Sequence, residues 1–193
     1  MWKPIAVLII LVGCVFGTGM AGATTFEARD FDALASEADQ IVIGTAAAAS
    51  SRRTGAREIV TDYRFDDLQI VKGTAPAASL TLTMLGGTVG GESLTVAGAP
   101  TFKRGIRYLV FITGNGSVMF PLVGGHQGIF QIRTNAASGV ARVHDYAGRP
   151  VTRLPGRASR EMADRAGVDA GEPMTQAAFV DAIRDKVAGT AAR

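Results

Sequence analysis

Short apolar runs recur through the middle of the chain, some of them alternating with polar residues at a period of two, the mark of half-buried strands. "SLTLTMLGG" puts Leu80, Leu82 and Met84 on one side. "QIVIGTAAAA", from Gln40, reads as a buried first strand, and the polar "SSRRTGAR" after it as a loop or hairpin tip. "IVTDYRFDDLQIVKG" carries two parities: Tyr63 and Phe65 share one face, Leu68 and Ile70 the other. One extra residue near Asp66-Asp67, a β-bulge, brings both pairs to a single core and bends the strand. The plainer alternative is an edge strand with two half-buried faces. "ESLTVAG" predicts a short strand. "RYLVFIT" and "VMFPLV" flank Gly114-Asn115-Gly116-Ser117, and Asn-Gly between apolar runs predicts a hairpin. "GIFQIRT" and "GVARVHDY" predict another around Asn135 to Gly139.

The period changes in two places. In "FDALASEAD", Asp30 is placed to cap a short helix with Phe31, Leu34, Ala35 and Ala38 on one face. In "MTQAAFVDAIRDKVAG", Thr175 caps, Met174 and Phe179 form a hydrophobic staple, and Phe179, Ile183 and Val187 make a docking stripe. Between them, residues 147–173 dissolve into Gly, Pro and Arg and read as a linker, with one turn of helix near Glu161. The expected organisation is a β domain over 24–146, the linker over 147–173 and a helix over 174–189. The fold class is mainly β: a small closed or nearly closed antiparallel barrel, or a sandwich, with short N- and C-terminal helices. Composition agrees, with 24 glycines and only 7% aromatics in 193 residues. The net charge of +3 is too small to require a polyanionic partner.

Residues 1–23 change the picture of where the protein acts. Lys3, an apolar run from Ile5 to Phe16 and Ala21-Gly22-Ala23 follow the layout of a secretory signal, with cleavage expected after Ala23. The apolar run is short for a membrane span. The expected location is periplasmic or extracellular, with a minor alternative: "LVGC" resembles a lipobox, which makes Cys14 a lipid anchor. Cys14 is the only cysteine, so a chain starting at Thr24 contains none. That excludes a disulfide scaffold, a cysteine nucleophile and a thiolate metal site.

The remaining motifs argue mostly against chemistry. "GGTVGGES" has phosphate-loop glycine spacing, but Glu92 stands where the lysine belongs, and a carboxylate there repels phosphate. His126 and His144 lie far apart, with no H-x-H or H-E-x-x-H spacing, and His144 and Asp145 point to opposite faces of a strand. G-x-S-x-G and S-x-x-K are absent. The basic stretches lack the interleaved aromatics that stack nucleic-acid bases. "NGS" at Asn115 matches a glycosylation sequon, but a hairpin turn accounts for it. The sequence thus designates no catalytic residue, no cofactor and no metal ligand. The binding surface it favours is on loops, around Arg52-Arg53 and from Gly86 to Glu92. His126, after Gly124-Gly125, joins the candidates as a residue at the start of a strand.

The order of "ADQIVIGTA", "TDYRFDDLQIVKG", "SLTLTML" and "FKRGIRYLVFIT" resembles the N-terminal domain of tissue inhibitors of metalloproteinases and the wider netrin-like module. The resemblance spans Ala38 to Thr113, and the whole layout is similar to that of other exported bacterial proteins. It implies an OB-like barrel with added strands, in which Lys72-Gly73 is the turn after the first long strands and Tyr108-Leu109 begins a late one. The inhibitors' zinc chelation by an N-terminal cysteine does not carry over to a chain starting at Thr24. The expectation is a non-catalytic, exported binding module acting on a protein or envelope component, with a link to proteases implied by the resemblance. The alternatives are a structural envelope protein, or a hydrolase with a dispersed site in which His126 or His144 pairs with a carboxylate in a pocket.

Overall fold

A computed structural model describes residues 29–74, 78–156 and 171–191. The expected signal segment, Cys14 and the helical turn near Glu161 lie outside these residues. Among the described residues the fold is mainly β, with eight strands and two helices. They are α1 (Phe31–Glu37), β1 (Gln40–Arg53), β2 (Ile59–Lys72), β3 (Leu80–Leu85), β4 (Gly87–Val89), β5 (Glu92–Leu94), β6 (Arg107–Ile112), β7 (Ile129–Thr134), β8 (Ala141–Asp145) and α2 (Gln176–Ala191). Six strands form one antiparallel sheet in the order β3-β2-β1-β6-β7-β8, and β4 pairs with β5. The sheet is curled but not closed.

The curl follows from defects in the β1–β2 ribbon. Its register shifts between Ile41 and Val42, between Ile43 and Thr45, and between Ala46 and Ala48. At the middle shift Asp67 adopts φ 53, the left-handed conformation of a bulged residue. This is the bulge expected from the parity of the sequence in preference to an edge strand, but it gathers only Tyr63, Phe65 and Leu68 into one core and leaves Ile70 37% exposed. Gly44 lies opposite the bulge, where an added Cβ would come within 2.9 Å of Leu68. The Arg107 guanidinium donates to the bulged Asp67 carbonyl at 3.1 Å, so the displaced backbone is not left unpaired.

The curled sheet is apolar on both faces. The inner face gathers Val42, Phe65, Leu82, Met84, Phe102, Tyr108 and Val110. The outer face carries Ile41, Ile43, Leu109, Phe111, Phe130 and Ile132 under the two helices. α1 starts as expected, with Ala33 N–H donating to the Asp30 carboxylate at 2.8 Å. At its other end Lys72 donates to the carbonyls of Ala35 (2.8 Å) and Ser36 (3.2 Å), a cation on the last turn. α2 is capped by Thr175, whose hydroxyl accepts from Ala178 N–H at 3.2 Å, and Met174 and Phe179 share one cluster. Phe179 meets Phe31 and Phe130 with ring centroids 5.3 and 4.9 Å apart.

Four segments differ from the sequence reading, the first being residues 50–53, expected in a loop or hairpin tip and found as the end of β1. "VMFPLV" is not a strand: the hairpin is reduced to one bridge, Ile112 to Leu122. Pro121 has no N–H to continue a ladder, and the preceding loop instead lies along β3. There Leu85 N–H donates to the Met119 carbonyl at 3.0 Å, and the Asn115 amide donates to the Thr81 carbonyl at 2.8 Å. Gly86 to Glu92 is not a bare turn but enters the β4–β5 hairpin, with Gly90 (φ 59) and Gly91 (φ 84) at its tip. The described part of the expected linker is ordered against β8: Val151 N–H donates to Val143, Val143 N–H to Met174 and Met174 N–H to Val151. Val151 is buried.

Candidate functional site

At the far end of the ribbon, β1 and β2 project beyond the helix-covered part of the sheet and turn through residues 54–58. Two of the four candidate residues meet here. Arg53, from the end of β1, reaches Glu92 at the start of β5, 39 positions away, with Nη2 to Oε2 at 2.5 Å. Arg52 turns the other way and grips Asp62 across the ribbon at 2.6 Å, and Asp62 also accepts from the Thr83 hydroxyl at 2.7 Å. The Arg52 hydrogen bond holds the Asp62 carboxyl below its usual range, and the same contact raises the Arg52 guanidinium. Both arginines are therefore tied to carboxylates, and the tip presents little net charge.

The β4–β5 hairpin is bolted to this tip through hydroxyls. Thr61, buried, donates to the Gly86 carbonyl at 2.7 Å and shares a hydrogen bond with Ser51 at 2.9 Å. Thr88 N–H donates to the Ser51 hydroxyl at 3.4 Å, and the Thr88 and Ser93 hydroxyls meet at 2.8 Å. Gly87, at φ 137, packs so closely on Ser51 and Thr61 that no Cβ fits.

Between the hairpin, β2, β3 and the loop through Pro100 lies a cleft of about 290 Å³. Its wall includes Tyr63, Met84, Leu85, Val96 and Pro100, its polar groups are hydroxyls and backbone, and no charged side chain lines it. Burial raises the Tyr63 phenol above its ordinary value, with the nearby Tyr146 adding to the effect. The loop forming the far wall is fixed by two tyrosines: the Tyr146 hydroxyl accepts from Thr101 N–H at 2.9 Å, and the Tyr108 hydroxyl from Lys103 N–H at 3.0 Å.

His126 does not join Arg53 and Glu92. It stands exposed on a single 3₁₀ turn, Gly125–Gly128, just before β7, with its ring 6.1 Å from that of Tyr146. Tyr146 in turn holds Thr101 at the rim of the cleft. His144 lies on β8 with a buried Nδ1 that has no hydrogen-bond partner among the described residues. Burial, and then the charge of Arg133, lower its pKa. The Asp145 carboxylate turns to Arg149 at 2.7 Å, as the alternation of the strand dictates. Among the described residues no three His, Cys, Asp or Glu side chains group as metal ligands. No described helix is long and apolar enough to cross a membrane. A second, shallower cavity of about 530 Å³ lies between Gln69, the start of β8 and the first turns of α2.

Sequence reasoning named the two loops but missed the cleft they border. Its wall is assembled from residues 61 to 101, and threonine, serine and glycine there look like turn chemistry. Compared with protein-family models, with curated proteins and with solved structures, the chain matches none.

Proposed function

We propose that this protein is an exported binding module that holds a protein or envelope component at the tip formed by the β1–β2 ribbon and the β4–β5 hairpin. The observation that carries this reading is the convergence of Arg53 and Glu92 beside a preformed, uncharged cleft. A pocket whose walls are already fixed by hydrogen bonds asks little ordering on binding. Export rests on the layout of residues 1–23, and an OB-like form on the strand order. In support of the latter, β1, β2 and β3 form a meander that β6 and β7 continue across β1, and bulges bend it as in partly open barrels.

The test uses tagged protein purified in the form its cells accumulate. N-terminal sequencing is expected to read from Thr24, and a lipid on Cys14 would replace that reading with the lipoprotein one. Capture from envelope and secreted fractions is then compared for the wild type, Arg53→Glu, Glu92→Arg and the double exchange. One stoichiometric partner, recovered at least tenfold less by Arg53→Glu, is the expected result. Identical recovery by all four forms would remove the tip from the binding surface.

A further inference from the structure

The chain contains two asparagines, and the fold uses them in opposite senses. Asn135 is an acceptor: its Oδ1 takes the N–H groups of Ala137 at 2.9 Å and Ser138 at 3.0 Å, in the turn between β7 and β8. Asn115 is a donor: its Nδ2 reaches the Thr81 carbonyl at 2.8 Å, on the side of β3 that faces away from β2. Together with the bond from Leu85 N–H to the Met119 carbonyl at 3.0 Å, it lays the 114–119 loop along the sheet margin. Exchanging a carboxamide for a carboxylate therefore does different things at the two positions. At Asn135 the acceptor survives. At Asn115 the donor is lost, and an anionic oxygen is left facing a carbonyl oxygen. The new charge also stands beside Gly114, whose N–H the Asp39 carboxylate already holds at 2.8 Å.

The surroundings favour this exchange at the position where it has a consequence. Asn115 and Gly116 are exposed at the corner of a turn that Ser117 N–H closes on the Gly114 carbonyl at 2.8 Å. Gly116 holds φ 84, and a Cβ there would meet nothing within 4 Å, so its nitrogen is unshielded. Among the described residues the Gly116 N–H has no acceptor. Asn135 is followed instead by Ala136, whose methyl group crowds the same approach, and its carboxamide is pinned by two N–H groups.

We propose that Asn115 is a self-modifying site whose conversion undoes the seal on the β3 margin. The Gly116 nitrogen gives its proton to water and attacks Asn115 Cγ. The new N–Cγ bond forms, the Cγ–Nδ2 bond breaks, and ammonia leaves with a proton returned from water, which closes a succinimide. Water then opens the ring at either carbonyl carbon, giving aspartate or isoaspartate, the latter with one more carbon in the main chain. Nothing is oxidised or reduced, and water is the sole co-reactant. The clasp must open for the attack, as an exposed hydrogen bond between neutral groups does in competition with water. The product cannot close it again, so the step runs one way. A margin stripped of its cover is a template for another strand.

The test uses the mature full-length chain, kept folded in mildly alkaline buffer and sampled over days by peptide mass mapping with isoaspartate detection. Aspartate and isoaspartate are expected to accumulate at Asn115 and not at Asn135. Asn115→Gln, which closes a larger ring far more slowly, should keep its mass. Hydrogen exchange at Leu85 N–H is then compared for fresh wild type, aged wild type, Asn115→Asp and Asn135→Asp. Asn115→Asp and the aged protein are expected to exchange about tenfold faster there, the usual worth of one hydrogen bond. The amides of Leu109 and Phe111, in the core, should be unchanged. Asn135→Asp should match fresh wild type at Leu85. No conversion at Asn115 in the folded chain, or conversion no faster than at Asn135, would overturn the modification site. Conversion that leaves Leu85 as protected as before would overturn the latch. If Asn115→Asp loosens the core as well, the aged wild type decides in its place.

Discussion

The two ends of the β1–β2 ribbon are one continuous pair of strands held in two different ways. Near α1, Ile41 and Ile43 pack under the helices while Val42 packs inside the curl, so the backbone is sandwiched between two apolar layers. At the tip the same strands carry Arg52, Arg53, Asp62 and Ser51, and their contacts are ion pairs and hydroxyl bonds. Apolar burial contributes about 25 cal/mol per Å² and is not weakened by ionic screening. An exposed ion pair contributes a fraction of a kcal/mol and is screened. The comparison teaches that the base of the ribbon carries the stability and the tip can vary its chemistry at little cost to the fold.

The sharpest way to break the comparison is at the base. Phe179→Ala, which empties a site bounded by Phe31 and Phe130, should lower stability by about 3–5 kcal/mol in urea unfolding. Gly44→Ala should come next, at about 1–3 kcal/mol, because its methyl group meets Leu68 and, behind it, the fixed Phe65 Cβ at 3.2 Å and Asp66 carbonyl at 3.3 Å. A third test uses pH. His144 is held neutral by burial, with a folded pKa below its ordinary 6.5. The unfolded chain therefore binds the proton more readily, and the stability this gives is present above pH 6.5. It should fall away as the pH drops through the folded value, and His144→Gln should remove that limb of the pH–stability curve. Asp62 acts lower on the scale: its stabilisation is present above pH 3.8 and lost as the pH falls through its depressed folded value. The smallest effect belongs to the tip. A double-mutant cycle on Arg53 and Glu92 should give a coupling of about 0.2–1 kcal/mol that shrinks with added salt. A coupling as large as the Phe179 effect would erase the distinction between base and tip.

How much of this was legible in the sequence follows from the range of each signal. The caps at Asp30 and Thr175 and the bulge at Asp66-Asp67 are local, written within a few residues of where they act. "VMFPLV" misled because its apolar run looks like a strand, while Pro121 and the free margin of β3 decide otherwise. The residues behind the family resemblance have structural work of their own. Asp39 accepts from Gly114 N–H at 2.8 Å, Lys72 caps α1, and Gly73, at φ 77, packs against the Asp39 carbonyl. The meeting of Arg53 with Glu92 and the wall of the cleft depend on how far the ribbon bends, which no short stretch of sequence encodes.

Both margins of the main sheet are occupied by the chain itself, β3 by the loop through Met119 and β8 by residues 149–151 and 173–175. The two seals differ in when they become available. The β3 margin is covered by residues that leave the ribosome well before β8 does. The β8 margin is partly covered by residues 149–151, which follow it at once, but the rest of that edge waits for residues 173–175. Until then it is open to pairing with a neighbour. For this protein, the emergence of residues 173–175 is also what makes it safe to be crowded.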